Sequence, residues 1–274
     1  MDLEKILRRK ESPLNTDFAM YSLKGKRVLI TGAGGSIGIS VANALGDEVK
    51  LLKTDIADSR YRYMDVRDAK RVFQMFESFQ PEIVLHLAGA KHAGSGEEDV
   101  TETVKVNVNG SFNIINAANT FKSTVVLAST CKAVEPETVY GSTKLIAERY
   151  ALNNNHCVAR FFNVVETSGN VFEIWQQSQP PYKVASARRY FISLREATSL
   201  MINAAAIGYG RWAVNPGEAV NMKDLAADLL GEENINLIDR RRGDRYAEPL
   251  CGMHESIKQY SGPLLRIYNY HDHH

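Results

Sequence analysis

The chain has 274 residues, 33 basic and 32 acidic, and 44% of it is hydrophobic. That length fits one to two domains with a full core, and the even charge balance removes the electrostatic case for nucleic acid or an anionic membrane surface. Three cysteines, Cys131, Cys157 and Cys251, make no disulfide framework, and no run of about 18 apolar residues is present to span a membrane. The N-terminus, Met1-Asp2-Leu3-Glu4-Lys5, lacks the apolar core of a signal peptide, so a soluble cytoplasmic enzyme is expected. Residues 1–24 read as a polar arm. Arg27–Thr31 is a buried strand, Ser36–Leu45 a helix and Val49–Thr54 a second strand. Asp68–Phe79 carries helical spacing in Val72, Phe73, Met75 and Phe76. Ile83–Leu87 is a third strand and Val100 to about Asn119 one long helix. Thr124–Ala128, a helix over Thr138–Leu152, and Cys157–Phe161 complete the alternation. Beyond Asn163 the pattern weakens, with loops at Gln179-Pro180-Pro181 and Asn215-Pro216-Gly217 and a short helix over Met222–Leu230. The terminal His271-Asp272-His273-His274 reads as a frayed or appended end rather than a metal site.

Short apolar strands alternating with helices specify an α/β protein: a doubly wound parallel sheet covered on both faces. The turn Thr31-Gly32-Ala33-Gly34-Gly35-Ser36-Ile37-Gly38 links the first strand to the first helix of that sheet. Gly32, Gly35 and Gly38 allow a tight turn and close backbone approach to a pyrophosphate. The helix N-terminus at Ser36 and Ile37 then offers free N–H groups to that anion. The fold is therefore Rossmann-type and the expected cofactor is NAD. Asp55, at the end of the second strand, can accept hydrogen bonds from the adenosine ribose hydroxyls and repel a 2′-phosphate. Lys53 nearby could instead pair with that phosphate, which keeps NADP open. Asp65-Val66 is placed to meet the adenine, or Asp65 caps the helix that begins near Asp68.

Tyr140 and Lys144 stand at i and i+4 and project from one helix face. A tyrosine with an ordinary pKa near 10 is a poor base at neutral pH. The Lys144 ammonium, with the positive charge of an oxidised nicotinamide, is expected to favour the phenolate. Thr130, at the end of the fourth strand, offers a hydroxyl to the reacting oxygen. This is the equipment for removing a proton from an alcohol as a hydride leaves.

The chain resembles an extended short-chain dehydrogenase/reductase, and more closely its CapD-like polysaccharide-biosynthesis branch of sugar-nucleotide epimerases and dehydratases. The likeness rests on six segments in order: His86-Leu87-Ala88-Gly89-Ala90-Lys91-His92, Lys105-Val106-Asn107-Val108-Asn109-Gly110, Ser129-Thr130-Cys131-Lys132-Ala133-Val134, Arg160-Phe161-Phe162-Asn163-Val164, Arg189-Tyr190-Phe191 and Arg241-Arg242-Gly243-Asp244-Arg245. It implies a UDP-sugar substrate, UDP-N-acetylglucosamine or a derivative, and a homo-oligomer. It implies a dinucleotide site that includes Leu87, Ala88, Gly89 and Lys91. It also implies a small C-terminal substrate lobe, with residues 25–162 the dinucleotide domain and 163–274 mainly that lobe, partly interleaved with the core. Lys91, His92, Asn163, Arg189 and Arg241 would face the sugar nucleotide, the arginines toward its phosphates. Surface ion pairs are the competing reading of the two arginines, and ordinary loop positions that of Lys91 and His92.

Cys131 stands where the branch has Asp. In the dehydratases that Asp protonates the departing C6 hydroxyl, while the following Lys, here Lys132, handles the C5 proton. A thiol with a pKa near 8.5 is a weaker substitute, and Cys131 is equally readable as a small buried residue. Epimerases need only reversible oxidation at C4. The expected order is therefore 4-epimerisation ahead of 4,6-dehydration, with a catalytically idle nucleotide-binding scaffold as the reading of another class.

Overall fold

The computed structural model describes residues 2–269 apart from His92 and 241–243. Two short helices, α1 (Leu3–Leu7) and α2 (Asp17–Leu23), precede β1 (Arg27–Thr31), α3 (Ser36–Leu45), β2 (Lys50–Asp55), β3 (Arg62–Tyr63), α4 (Ala69–Phe79) and β4 (Ile83–His86). There follow α5 (Ala93–Glu98), α6 (Val100–Val104), a π-helical turn over Lys105–Gly110, α7 (Ser111–Phe121), β5 (Thr124–Thr130), α8 (Val139–Asn153), β6 (Cys157–Phe161) and β7 (Asn163–Val164). The remainder comprises α9 (Val171–Gln177), β8 (Tyr182–Ala185), β9 (Arg188–Arg189), β10 (Phe191–Ile192), α10 (Leu194–Ile207), β11 (Gly210–Val214), β12 (Val220–Asn221), α11 (Met222–Leu230), β13 (Ile235–Ile238), β14 (Glu255–Ser261) and β15 (Leu264–Asn269).

Nine strands form one sheet in the order β14-β15-β11-β6-β5-β4-β1-β2-β3. Pairing is parallel from β3 through to β11. It turns antiparallel only where β15 adds to β11 and β14 to β15. The inner strands are apolar and buried on both faces, as a sheet sandwiched by helices requires: all residues of β4, β6 and β11 are buried. One face packs α2, α3 and α10 around Leu23, Val41 and Leu200, the other α4, α7 and α8 around Phe76, Ile115 and Ala147. Strand order reverses between β4 and β1, and the crevice beyond their carboxyl ends is where such sheets take ligands.

The helix expected over 100–119 is interrupted. The π-turn between α6 and α7 seats buried Asn107, whose side chain is bound by Ala90 and Thr143. A local π-turn adds a residue and re-aims side chains at that point. Asp68, not Asp65, caps α4, accepting from the Arg71 amide at 2.9 Å. Beyond Asn163 the chain divides. β11, α10 and the β14–β15 hairpin complete the main sheet and its cover, whereas α1, α9, α11 and β8 enclose a separate cluster around Phe172, Trp175 and Leu225. The weak alternation concealed these late strands, because β14 is largely exposed and mixed in polarity.

Candidate active site

A cleft of about 980 Å³ runs along the carboxyl ends of the parallel strands. At one end lies the glycine turn. Gly32 has a φ of +68° and sits so close to the next loop that a Cβ there would lie 2.6 Å from the Ala88 amide. At Gly38 an added Cβ would be 2.4 Å from the Gly32 carbonyl oxygen. Side chains would therefore pry α3 from β1 and fill the space a phosphate needs. Gly35, Ser36 and Ile37 line the same wall.

Asp55 lines the adjoining mouth and accepts from Gly34 N and Ala57 N, both at 2.9 Å. Lys53 is not part of this wall; its ammonium lies over the Tyr61 ring, 5.4 Å from the centroid. Arg60, clamped to the Asp58 carboxylate, is a basic residue at the mouth, and Arg67 is another in the lining. Asp65 and Val66 also line the cleft. Arg67 beside Asp65 holds its carboxyl below the usual range, and the Val66 carbonyl accepts from Asn113 at 2.9 Å.

The floor comes from β4 and the π-turn. Buried His86 is hydrogen-bonded to Thr31 (Nδ1 to Oγ1, 2.7 Å) and meets Ser111 at 3.1 Å. Burial, then Lys144, pushes its pKa down to about 3, so the ring is neutral. Leu87, Ala88 and Gly89 follow along the wall. Asn107 holds the next residue at both backbone atoms, accepting from Ala90 N at 2.8 Å and donating to its carbonyl at 3.1 Å. Sequence reasoning quoted Asn107 but assigned it no task; the asparagine-glycine pattern of the segment was the available signal. Lys91 reaches out of the loop to the Ser168 carbonyl at 2.9 Å.

Thr130, Lys132, Tyr140 and Lys144 meet at the far end of the cleft. Thr130 ends β5 and caps the tight turn Cys131–Ala133, accepting from Lys132 N at 3.3 Å. Thr138 caps α8, and Gly141 lets that helix press on the turn: a Cβ there would lie 2.2 Å from the Lys132 carbonyl oxygen. Both Tyr140 and Lys144 are buried. Burial pushes the Lys144 pKa down to about 8, against the pull of Glu148 one turn further along α8. Burial raises the Tyr140 phenol, while Lys132 and a hydrogen bond from Thr130 oppose the rise. Lys132 is thus a cation whose charge opposes that rise, and Lys144, expected from spacing to do so, lines the same end of the cleft. A phenol of raised pKa is neutral at pH 7, and further positive charge is required to make it a base.

Cys131 and Arg189 do not line this cleft. Cys131 is buried, and its thiol donates to Glu248 Oε2 at 3.2 Å. Burial, then Glu248, pushes it up to about 12. Arg189 spends its guanidinium on the chain that follows β13: carbonyls of Arg245 and Tyr246 at 2.9 and 3.3 Å, Glu248 at 3.4 Å and Asp244 at 3.9 Å. Asn163 lines the cleft, yet its amide is fully engaged: Nδ2 donates to Tyr190 O and Glu248, and Oδ1 accepts from Lys132. His92, Arg241 and the His-rich tail considered for metal lie outside the described residues. Glu248 was missed by sequence reasoning, although it stands three residues beyond the Arg241–Arg245 segment. Beneath α8, Glu148 and Glu255 interlock with Arg160 and Arg211 in a buried quartet.

The family profile described as "Polysaccharide biosynthesis protein" matches residues 47–269. The chain belongs to that family. It is 31% identical to the probable polysaccharide biosynthesis protein EpsC of Bacillus subtilis over 96% of its length, and 29% identical to the capsular polysaccharide biosynthesis protein CapD of Staphylococcus aureus over 93%. It spans about half of each of these relatives, 51% and 50%. A UDP-N-acetylglucosamine 4,6-dehydratase (inverting) of Campylobacter jejuni is 27% identical over 86% of this chain and 80% of its own. Among solved structures, Pen from Bacillus thuringiensis superposes with a TM-score of 0.75 at 27% identity, covering 89% of this chain and 88% of that one. The Thermus thermophilus UDP-glucose 4-epimerase in complex with NAD shares the fold at a TM-score of 0.72 and 19% identity, covering 81% and 89%. These relatives bear out the resemblance to extended short-chain dehydrogenase/reductases of the CapD-like branch. Among the described residues, no helix is long and apolar enough to cross a membrane.

Proposed function

We propose that the chain oxidises C4 of a UDP-hexose, UDP-N-acetylglucosamine or a derivative, in a reversible step that leads to C4 epimerisation, with NAD as cofactor. The glycine turn, the Asp55 mouth and the Ala88–Gly89 wall fit a dinucleotide in size and chemistry. When bound, a nicotinamide dinucleotide supplies the acceptor and donor of a hydride. The remaining work falls to this chain's side chains. Tyr140 removes the C4 hydroxyl proton and returns it to the same oxygen when hydride comes back to C4, and rotation of the ketosugar between the two steps decides which face of C4 receives that hydride. Thr130 hydrogen-bonds the same oxygen. Lys144, buried beside Gly89, holds cofactor ribose hydroxyls, and Lys132 adds positive charge toward the phenol. Asn163 and Lys91 are assigned to the sugar-nucleotide side, with His92 and Arg241 as further candidates, whereas Arg189, outside the cleft lining, is left to hold the chain after β13. A homo-oligomer is expected on the resemblance.

The observation that carries epimerisation over dehydration is the position of Cys131. Its thiol is neutral, points at Glu248, and lies behind the cleft wall. The acid that elimination needs at the C6 oxygen is therefore lacking at residue 131. Relatives named UDP-glucose 4-epimerase, from Rickettsia canadensis among others, support the reading, while the Campylobacter dehydratases support its alternative. Incubation with UDP-N-acetylglucosamine and NAD, followed by mass analysis and NMR, decides it. Interconversion at C4 without change of mass is expected. A product lighter by one water establishes the dehydratase instead, and tight binding with no conversion establishes an idle scaffold.

A further inference from the structure

Lys132 is the residue that could carry the reaction past C4. Once C4 is a carbonyl, the C5 hydrogen becomes acidic, and a neutral amine facing it would remove it. The Lys132 ammonium is instead surrounded by acceptors. Its Nζ lies 2.8 Å from Glu248 Oε1 and 3.2 Å from Asn163 Oδ1. Asn163 cannot turn its amide around, because Nδ2 already donates to the Tyr190 carbonyl at 3.0 Å and to Glu248 Oε2 at 2.8 Å.

Glu248 is almost fully buried and is held in place from two further directions. The Cys131 thiol meets Oε2 at 3.2 Å and Arg189 Nε meets Oε1 at 3.4 Å. With Cys131 and Lys132 it lines a cavity of about 30 Å³ that adjoins the main cleft, whereas Lys132 lines both. The other charged groups at this cavity are Asp244, Arg245 and Glu137, and on the cleft side Lys132 shares the lining with Tyr140 and Lys144. The carboxylate in contact with Lys132 is Glu248, and a buried carboxylate at 2.8 Å stabilises the protonated amine strongly.

Resting on the C4-oxidation reading of the same site, we propose that Glu248 is a positioning residue that decides the reaction course: it keeps Lys132 an ammonium and turns the Cys131 proton away from the cleft, so that neither half of a 4,6-elimination proceeds. The carboxylate itself touches no substrate. Removing its charge while keeping its shape, Glu248→Gln, frees Lys132 to lose its proton. The neutral amine would then take the C5 proton from the 4-ketosugar, leaving the electron pair as an enolate. Reprotonation from the same ammonium returns the ketosugar, now carrying a solvent hydrogen at C5. No oxidant beyond the one already required at C4 enters this exchange.

Two measurements test it. Competitive labelling of the folded protein with trace acetic anhydride across roughly pH 7 to 11 reads the titration of each lysine through peptide masses, and needs neither sugar nor cofactor. Lys132 is expected to titrate above the ordinary lysine value near 10.4, and in Glu248→Gln about one pH unit or more lower than in the wild type. A wild-type Lys132 that titrates at or below the ordinary value overturns the proposal without any variant. So does a folded Glu248→Gln whose Lys132 titration is unmoved. In deuterium oxide with UDP-N-acetylglucosamine and NAD, the wild type should interconvert C4 with no deuterium at C5, and the variant should gain C5 deuterium as pH rises. Wild-type C4 turnover accompanied by C5 exchange refutes the role of Glu248 alone. Labelling as expected in a protein that converts no sugar refutes the C4 reading and with it the role of Glu248 in the reaction course, leaving only its hold on the Lys132 proton.

Discussion

Substituting Glu255 by Gln probes the ion-paired quartet beneath α8. Glu255 Oε2 accepts from Arg160 Nη1 at 2.7 Å, and Oε1 accepts from Arg160 Nη2 at 2.9 Å and Arg211 Nη1 at 2.8 Å. Arg160 in turn holds Glu148, four residues beyond Lys144 on α8. Burial alone would raise the Glu255 carboxyl, but the hydrogen bonds and charges of Arg160 and Arg211 bring it from 4.5 to about 2. At 1.36 kcal/mol per unit, that depression stabilises the native state by about 3 kcal/mol at neutral pH. Because the folded pKa is the lower one, the stabilisation is complete above the unfolded value near 4.5 and is lost as pH falls toward 2. Urea unfolding followed by tryptophan fluorescence, with Trp175 and Trp212 both buried, measures it. Glu255→Gln should be less stable than wild type by about 3 kcal/mol at pH 7. The gap should narrow steadily as pH is lowered below about 4.5. Equal stability at pH 7, or a gap that stays constant from about pH 5 to pH 3, would refute the assignment of that energy to the ionised carboxylate.

Further outcomes follow from the cleft. Tyr140→Phe should lower turnover by about 10²–10⁴-fold while cofactor still binds, since only the ionisable hydroxyl is lost; steady-state kinetics near wild type would remove Tyr140 as the base. NAD should bind more tightly than NADP in fluorescence titrations, and Asp55→Ala should narrow the difference; tighter NADP binding abolished by Arg60→Ala would assign the mouth to a 2′-phosphate. Gly38→Ala should weaken either dinucleotide by about tenfold or more in the same titration, because the new methyl meets the Gly32 carbonyl and opens the turn. Cys131→Asp in the Glu248→Gln background supplies a carboxyl at residue 131 together with a Lys132 free to lose its proton, so product lighter by one water should appear in the mass spectrum, and its absence would show that the cavity wall, not the missing acid, prevents elimination.

Much of the nucleotide half was legible because its determinants are local. A strand buried on both faces is a run of apolar residues, and helix spacing shows in Val72, Met75 and Phe76. The pair Tyr140 and Lys144 follows from one helical turn, and Gly32, Gly35 and Gly38 from a turn of few residues. The π-turn at Lys105–Gly110 escaped, since its cause is the grip of Asn107 on Ala90 and Thr143 in other elements. The late strands escaped for a related reason: β15 finds β11, and β14 finds β15, by pairing across the chain rather than by a pattern of their own. Glu248 lies 117 residues from Cys131 and 116 from Lys132. No spacing rule joins residues at such separations; only the return of the chain after β13 brings that carboxylate against the turn after β5. Residue types along short segments determined the sheet, the dinucleotide turn and the tyrosine–lysine pair. Where the Cys131 proton points and what holds α8 from below were decided by tertiary packing, because burial and neighbouring charge are properties of the folded chain.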